Sequence, residues 1–119
     1  MQNRRKTIRR YLLYFVRIYD SSTSQQIGNL VDITTKGVMI VGPSPIPENK
    51  TIQLRLELTA DVADKPFMEF MANSKWCHPD LDPSMYNIGF EIKGLSQVDT
   101  KIIQKIIDMF GFRDNEPKS

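Results

Sequence analysis

Basic side chains are concentrated at the start of the 119-residue chain. Arg4, Arg5, Lys6, Arg9 and Arg10 place five cations within the first ten residues, although the formal net charge of the whole chain is only +2. A guanidinium is a planar fork that pairs bidentately with a phosphate or with the O6/N7 edge of a guanine, and its plane can stack on a base. The segment is therefore a candidate anion-binding element.

A second candidate element lies in a short turn about twenty residues further on. Asp32, Thr34 and Gly37 form the pattern Asp-x-Thr-x-x-Gly. Asp32 can accept hydrogen bonds from a guanine edge or from the amides of its own turn, and Thr34 adds a hydroxyl. Gly37 allows either a positive φ or a close approach of the backbone to a ligand. Lys36 can add to the positive potential of the same turn.

The side chains that usually carry catalysis or bind metals are few in this sequence. Cys77 and His78 are adjacent, so on a strand they point to opposite faces and cannot form a nucleophile and base pair. Asp80 and Asp82 lack the further oxygen donors of a calcium loop, and a solvated turn is the simpler interpretation. We find neither a nucleoside triphosphate loop nor a dinucleotide motif. We therefore expect no enzyme, no metal site and no cofactor.

Segments with alternating apolar and polar residues, or rich in β-branched residues, predict six strands. The clearest is Thr51 to Leu58, in which apolar and polar residues alternate with a period of two. Strands are predicted at 12–20, 26–33, 37–42, 51–58, 67–78 and 86–92. The second and third are close enough to pair as an antiparallel hairpin, and small residues in the fifth indicate a β-bulge. The large side chains of that fifth strand are expected to serve core or barrel packing and not to form a cofactor site: Phe67, Met68, Phe70, Met71 and Trp76.

Residues 97–110 predict a helix because apolar side chains recur at helical spacing. The predicted stripe consists of Val98, Ile102, Ile103, Ile106, Ile107 and Phe110. Ser96 is a suitable N-cap and Gly111 a suitable stop. The fold class is thus all-β with a C-terminal helix, namely a six-stranded antiparallel β-barrel with the helix covering one end or side. We predict a basic arm at 1–12, the barrel and helix at 12–112 and a flexible tail at 113–119.

Composition is that of one ordinary soluble domain. Hydrophobic residues make up 40% and charged residues 25% of the chain, which can bury roughly two-thirds of its unfolded surface. The single cysteine excludes an internal disulfide, and no apolar run is long enough to span a membrane or to form a signal core. We expect a cytoplasmic protein without membrane insertion.

Together, these features resemble the PilZ domain family. "RRKTIRRY" contains Arg5 and Arg9 as an Arg-x-x-x-Arg motif, "DITTKG" resembles the family's Asp/Asn-x-Ser-x-x-Gly element, and "NIGFEI" resembles its late Gly-Phe strand. The resemblance covers nearly the whole chain and implies a split six-stranded barrel that binds the bacterial second messenger cyclic di-GMP. It also implies that Thr34 stands where serine is usual, which keeps the hydroxyl and adds a methyl group.

The resemblance assigns roles to individual residues. Arg5 and Arg9 are expected on the phosphates and guanine edges, with the ligand-binding turn residues beside a guanine: Asp32, Thr34 and Gly37. Arg4 could offer another fork, as in domains that hold an intercalated ligand dimer. Auxiliary positive potential would come from Lys6, Arg10 and Lys36. The arm would become ordered over the ligand and present a new surface to an unidentified effector protein of motility, biofilm or exopolysaccharide production.

Two alternatives stay open at the level of sequence. A small barrel that binds single-stranded nucleic acid could use a basic arm, but without the arm's five cations eleven basic residues face fourteen acidic ones. Nucleic-acid grooves usually need a wider basic stripe, so that partner is not favoured. The chain could instead be a PilZ-like interaction module that binds no nucleotide. In each case we expect a monomer or a weak dimer.

Overall fold

The computed structural model describes residues 16–110, which form six strands and one helix. In chain order these are β1 (Arg17–Asp20), β2 (Gln25–Ile33), β3 (Gly37–Gly42), β4 (Thr51–Glu57), β5 (Phe67–Pro79), β6 (Tyr86–Ile92) and α1 (Gln97–Phe110). The predicted residues 12–15 of the first strand, the basic arm, the Gly111 stop and the tail lie outside the described residues.

The six strands close into a barrel in the order β1-β2-β3-β6-β5-β4. Every neighbouring pair is antiparallel, and β1 pairs with both β2 and β4 to complete the ring. Closure removes the unpaired strand edges that an open sheet of this size would expose. The predicted six-stranded antiparallel barrel and its β2–β3 hairpin are therefore confirmed.

The barrel interior is filled by the inward side chains of the alternating strands. In β4, Ile52, Leu54 and Leu56 are buried, whereas the intervening polar residues lie outside. The large side chains of β5 divide between the core and the outer face. Met68 and Phe70 are buried, but Phe67 is 39% and Met71 43% exposed, since they occupy alternate positions of the strand. Odd-numbered residues at this end of β5 face outward.

Helix α1 contributes to the same core as the barrel. Ile102, Ile103 and Ile106 belong to the cluster of buried side chains that fills the barrel interior. Ser96 acts as the predicted N-cap, because its Oγ accepts a hydrogen bond of 3.0 Å from the backbone N–H of Asp99. Val98, assigned to the stripe, is instead 62% exposed. Successive helical residues are rotated by about 100°, so Val98, five residues before Ile103, lies about 140° from it around the helix.

The described part of the chain contains no helix whose length and apolar character would suit it to cross a membrane.

Candidate functional site

A groove on the outer face of the barrel contains the turn that the sequence singled out. Its volume is about 750 Å³, and it crosses four neighbouring strands from β2 through β3 and β6 to β5. Its lining residues are Asp32, Ile33, Thr34, Lys36, Gly37, Val38, Met39, Lys75, Trp76, Gly89, Phe90 and Glu91. The groove thus joins the Asp-x-Thr-x-x-Gly turn to residues of β5 and β6, of which the first is Lys75, 38 positions after Gly37.

Strand register sets one row of outward positions along the groove. Asp32 pairs with Met39, Met39 pairs with Gly89, and Gly89 pairs with Trp76. Adjacent strands lie about 4.8 Å apart, so these four positions extend over about 14 Å. A register shift between Leu30 and Asp32 leaves Asp32 exposed while the residues on either side of it are buried. The bulge therefore points the carboxylate to the outer face.

The hydroxyl of Thr34 stabilises the turn between β2 and β3. Its Oγ1 accepts hydrogen bonds of 3.1 Å from the backbone N–H groups of Lys36 and Gly37. The backbone N–H of Thr34 donates to the Gly37 carbonyl oxygen at 2.8 Å. These bonds close the turn without any ligand, as Ser and Thr hydroxyls commonly do. Thr34 therefore acts first on the conformation of the site.

Gly37 is needed because its backbone approaches the neighbouring strand closely. A Cβ atom at this position would lie 2.8 Å from the carbonyl oxygen of Phe90, which is a backbone atom with little room to move. Its φ is not in the left-handed region, where the one described glycine is Gly94. Glycine at position 37 is thus explained by the close approach of two backbones and not by a positive φ. The backbone that comes close is that of β6 in the barrel and not that of a ligand.

An aromatic surface forms the far side of the groove. A Cβ atom at Gly89 would overlap the indole of Trp76, so the absence of a side chain at Gly89 makes room for the ring. Trp76 is half-buried, and His78 stacks on it with ring centroids 5.0 Å apart and planes 20° apart. The register shift between Ser74 and Trp76 brings Trp76 to the outer face. Of the two kinds of packing expected for Trp76, the ring thus packs on the outside of the barrel and not in its core, and the predicted bulge is present.

Charged side chains line the groove on both sides. Glu91 Oε1 lies 3.2 Å from Lys75 Nζ and 3.6 Å from Lys93 Nζ. The hydrogen bond from Lys75, with the positive charges of Lys93 and Lys75, lowers the pKa of Glu91 below its ordinary value of 4.5. Lys36 is exposed in the turn, and Asp32 Oδ1 accepts from the Ile33 N–H at 2.9 Å. The groove thus offers ammonium groups as donors and carboxylates as acceptors for charge-assisted hydrogen bonds to a polar ligand.

Four of the residues selected from sequence lie together in the groove: Asp32, Thr34, Lys36 and Gly37. The arm residues lie outside the described part of the chain, and their roles stay predictions: Arg4, Arg5, Lys6, Arg9 and Arg10. Sequence reasoning missed the contributions of Lys75, Trp76, Gly89 and Glu91 to the groove. The sequence contained two signals for these residues, the Gly89-Phe90 pair and the possible bulge in β5. Neither signal specifies how β5 and β6 pair with β3 in the barrel.

The other chemically active residues have ordinary structural surroundings. Cys77 packs against the core and His78 is exposed, in agreement with the predicted opposite faces. Asp82 Oδ1 accepts from the Ser84 hydroxyl at 2.7 Å and from its N–H at 3.0 Å, within the turn between β5 and β6. Across residues 16–110, no group of three or more His, Cys, Asp or Glu side chains could hold a metal ion.

Comparisons with known proteins agree with this architecture. The family model of the PilZ domain matches residues 3–109. Among solved structures, that of the Bacillus subtilis inhibitor of motility MotI/DgrA is similar, with a TM-score of 0.61 and 15% sequence identity. The alignment covers 79% of this chain and 45% of that one, so this chain spans less than half the length of its structural neighbour. At this identity the likeness concerns the fold. No curated protein matches the sequence.

Proposed function

The chain belongs to the PilZ domain family of cyclic di-GMP receptors, and on this premise we propose that it binds cyclic di-GMP in the outer-face groove and passes the signal to a partner protein. One observation carries the proposal: the groove holds the Asp-x-Thr-x-x-Gly turn, an indole and two lysines on one face of the barrel. PilZ domains bind and regulate, and the role proposed here is recognition, not catalysis.

Phosphate binding is the first part of the proposed recognition. Cyclic di-GMP carries two phosphates, and two lining residues of the groove provide ammonium groups, namely Lys36 in the β2–β3 turn and Lys75 on β5. An ammonium is a point charge, whereas a guanidinium pairs bidentately with a phosphate or guanine edge. We therefore assign the directional contacts to Arg5 and Arg9, and assign to the lysines the positive potential that attracts the ligand. Arg4, Lys6 and Arg10 would strengthen the same field, with Arg4 available for a second ligand molecule.

Base recognition is the second part. A half-buried indole offers a stacking surface, and stacking of a base on an aromatic side chain contributes about 1–3 kcal/mol. We propose that one guanine stacks on Trp76 and that Asp32, in the same outward row, accepts from a guanine N–H. Thr34 and Gly37 would keep the turn in the conformation that makes this row accessible.

Ordering of the arm is the proposed means of signalling. Residues 1–12 carry five cations and precede β1, which is adjacent to β2 in the barrel. Ligand phosphates would draw the arm across the groove, where charge-assisted contacts offset its loss of conformational entropy. The covered face would then present a surface that the unliganded protein lacks. The change is thus a ligand-dependent ordering of one segment, a common form of protein switch.

We propose that this protein acts in the cytoplasm and that the partner of this surface is an effector protein. MotI/DgrA, which shares the fold, is an inhibitor of motility. We therefore propose a motility component as the first effector to test, with biofilm and exopolysaccharide machinery as further candidates. A monomer or weak dimer, with its groove exposed, would suit such reversible binding.

Calorimetric titration of the protein with cyclic di-GMP tests the proposal. We expect saturable binding that Arg9→Ala weakens, because a charge-assisted bidentate contact contributes about 1.5–3 kcal/mol, or roughly 10- to 150-fold in affinity. Arg10→Ala is the matched control, since it removes the same charge from the same arm. Binding should fall much less in this control.

Three outcomes would decide between the alternatives. No heat at high ligand concentration would overturn the receptor proposal and favour an interaction module that binds no nucleotide. Equal losses of affinity in Arg9→Ala and Arg10→Ala would show that the arm acts by its charge alone and not through a specific bidentate contact. Tighter binding of single-stranded oligonucleotides than of cyclic di-GMP would favour the nucleic-acid alternative.

A further inference from the structure

Glu91 stands directly beside the glycine of the turn. In the pairing of β3 with β6, Gly37 and Glu91 are partners, and both line the groove. Paired residues of antiparallel strands have Cα atoms about 4.5–5.5 Å apart, and their side chains leave the same face of the sheet. Because Gly37 has no side chain, only the carboxylate side chain of Glu91 extends from this pair of residues.

Two lysines form ion pairs with the carboxylate of Glu91. The Nζ atoms of Lys75 and Lys93 lie 3.2 Å and 3.6 Å from Oε1 of Glu91. An ionised carboxylate has about four acceptor positions, so the group can accept further hydrogen bonds at both oxygens. The side chain is 49% exposed, so a ligand in the groove can reach it. The site therefore presents an accessible carboxylate, paired with two lysines, beside the turn.

The local charge balance argues against Glu91 as a group that repels an anionic ligand. Lys36, Lys75 and Lys93 carry three positive charges around the groove, against the two negative charges of Asp32 and Glu91. The lysine contacts also lower the pKa of Glu91, so it stays ionised at neutral pH. An anion therefore meets a groove of net positive charge in which one carboxylate is already neutralised by its neighbours.

We propose that Glu91 determines base specificity by accepting the N1 hydrogen and one 2-amino hydrogen of a guanine. This inference rests on the proposed function and adds to it a residue that recognises the N1 and 2-amino edge of the base. A carboxylate with two available oxygens matches these two adjacent donors of guanine, whereas adenine presents an acceptor at N1 and no 2-amino group. Lys75 and Lys93 act as positioning residues, because they orient the carboxylate before the base arrives.

Removal of the 2-amino group from the ligand tests the proposal. We compare cyclic di-GMP with cyclic di-IMP, its hypoxanthine analogue, by calorimetry on the wild type, Glu91→Gln and Glu48→Gln. Glu48 is exposed in the loop between β3 and β4, outside the groove, and its substitution makes the same change in net charge. Glu91→Gln should weaken cyclic di-GMP binding about tenfold, because charge-assisted bonds become neutral ones and one acceptor is lost.

The preference for cyclic di-GMP over cyclic di-IMP should shrink at least threefold in Glu91→Gln and stay unchanged in Glu48→Gln. Equal tightening of both ligands in Glu91→Gln would identify Glu91 as a repulsive charge and overturn the proposal. An unchanged preference with unchanged affinity would show that the ion pair with the lysines is only structural. If the wild type binds neither ligand, the receptor function fails first and this inference with it. Equal melting temperatures of the three proteins would exclude misfolding as the cause.

Discussion

Substitution of Gly89 tests whether the space above this residue positions the indole of Trp76. A Cβ atom at Gly89 would overlap the indole, and the three atoms nearest to it all belong to the side chain of Trp76. Gly89→Ala should therefore displace the ring without breaking the strand. In strand interiors alanine is more stable than glycine by about 0.5–1 kcal/mol. The expected damage is to the stacking surface and not to the fold.

The magnitude follows from the stacking that the displaced ring can no longer provide. Loss of about 1–3 kcal/mol for one base corresponds to a dissociation constant for cyclic di-GMP that rises about 5- to 150-fold. Trp76 is the single tryptophan of the chain, so its fluorescence reports the displacement directly. The emission of the unliganded Gly89→Ala protein should shift to longer wavelength, because the half-buried indole becomes more exposed.

A double-mutant cycle separates this mechanism from a general effect of Gly89. Trp76→Ala alone should weaken binding as much as Gly89→Ala, and Gly89→Ala should have little further effect in the Trp76→Ala background. If the two losses add, Gly89 acts by another route and the proposed role of the indole is wrong. Unchanged affinity in Trp76→Ala would refute base stacking at this position altogether.

Two further predictions concern the turn and the opposite side of the barrel. Thr34→Val removes the acceptor of two exposed amides and should lower the free energy of unfolding by about 1 kcal/mol, whereas Thr34→Ser should stay within about 0.5 kcal/mol; chemical denaturation checks both. Equal losses would show that the hydroxyl is not what stabilises the turn. The second prediction concerns Glu69, whose pKa is lowered from 4.5 chiefly by a hydrogen bond from the Ser21 hydroxyl and also by the Arg55 guanidinium 3.2 Å away. A lowered folded-state pKa stabilises the protein above pH 4.5, and this stabilisation is lost as the pH falls through the folded-state value. The melting temperature of Glu69→Gln should thus fall less steeply on acidification than that of the wild type, and parallel curves would contradict this assignment.

The strands were predictable because apolar and polar residues alternate in the same way as buried and exposed positions of a strand. From Thr51 to Leu58 each apolar residue is followed by a polar one up to Glu57, and the inward and outward faces in β4 follow this pattern. The hairpin turn was also readable, because three polar residues separate two apolar runs. In these segments the local pattern and the final environment agree, so no long-range information was needed.

Trp76 and Val98 show where local pattern stops being sufficient. One extra residue in β5 moves Trp76 to the outer face, and the exact position of a bulge depends on pairing with β6. Val98 has the i+4 spacing of a core residue but is rotated away from the contact surface, which only the packed barrel defines. Glu91 was missed for a related reason, since its place beside Gly37 follows from strand register across more than fifty residues.

Mapping the binding site by amide chemical shifts tests the central claim most directly. During titration of isotopically labelled protein with cyclic di-GMP, we expect the largest shifts at the backbone N–H groups of Lys36, Gly37 and Gly89 and at the indole N–H of Trp76. These groups belong to the residues that line the outer-face groove. Absence of shifts at saturating ligand, or shifts confined to β1 and β4 on the other side of the barrel, would contradict the account.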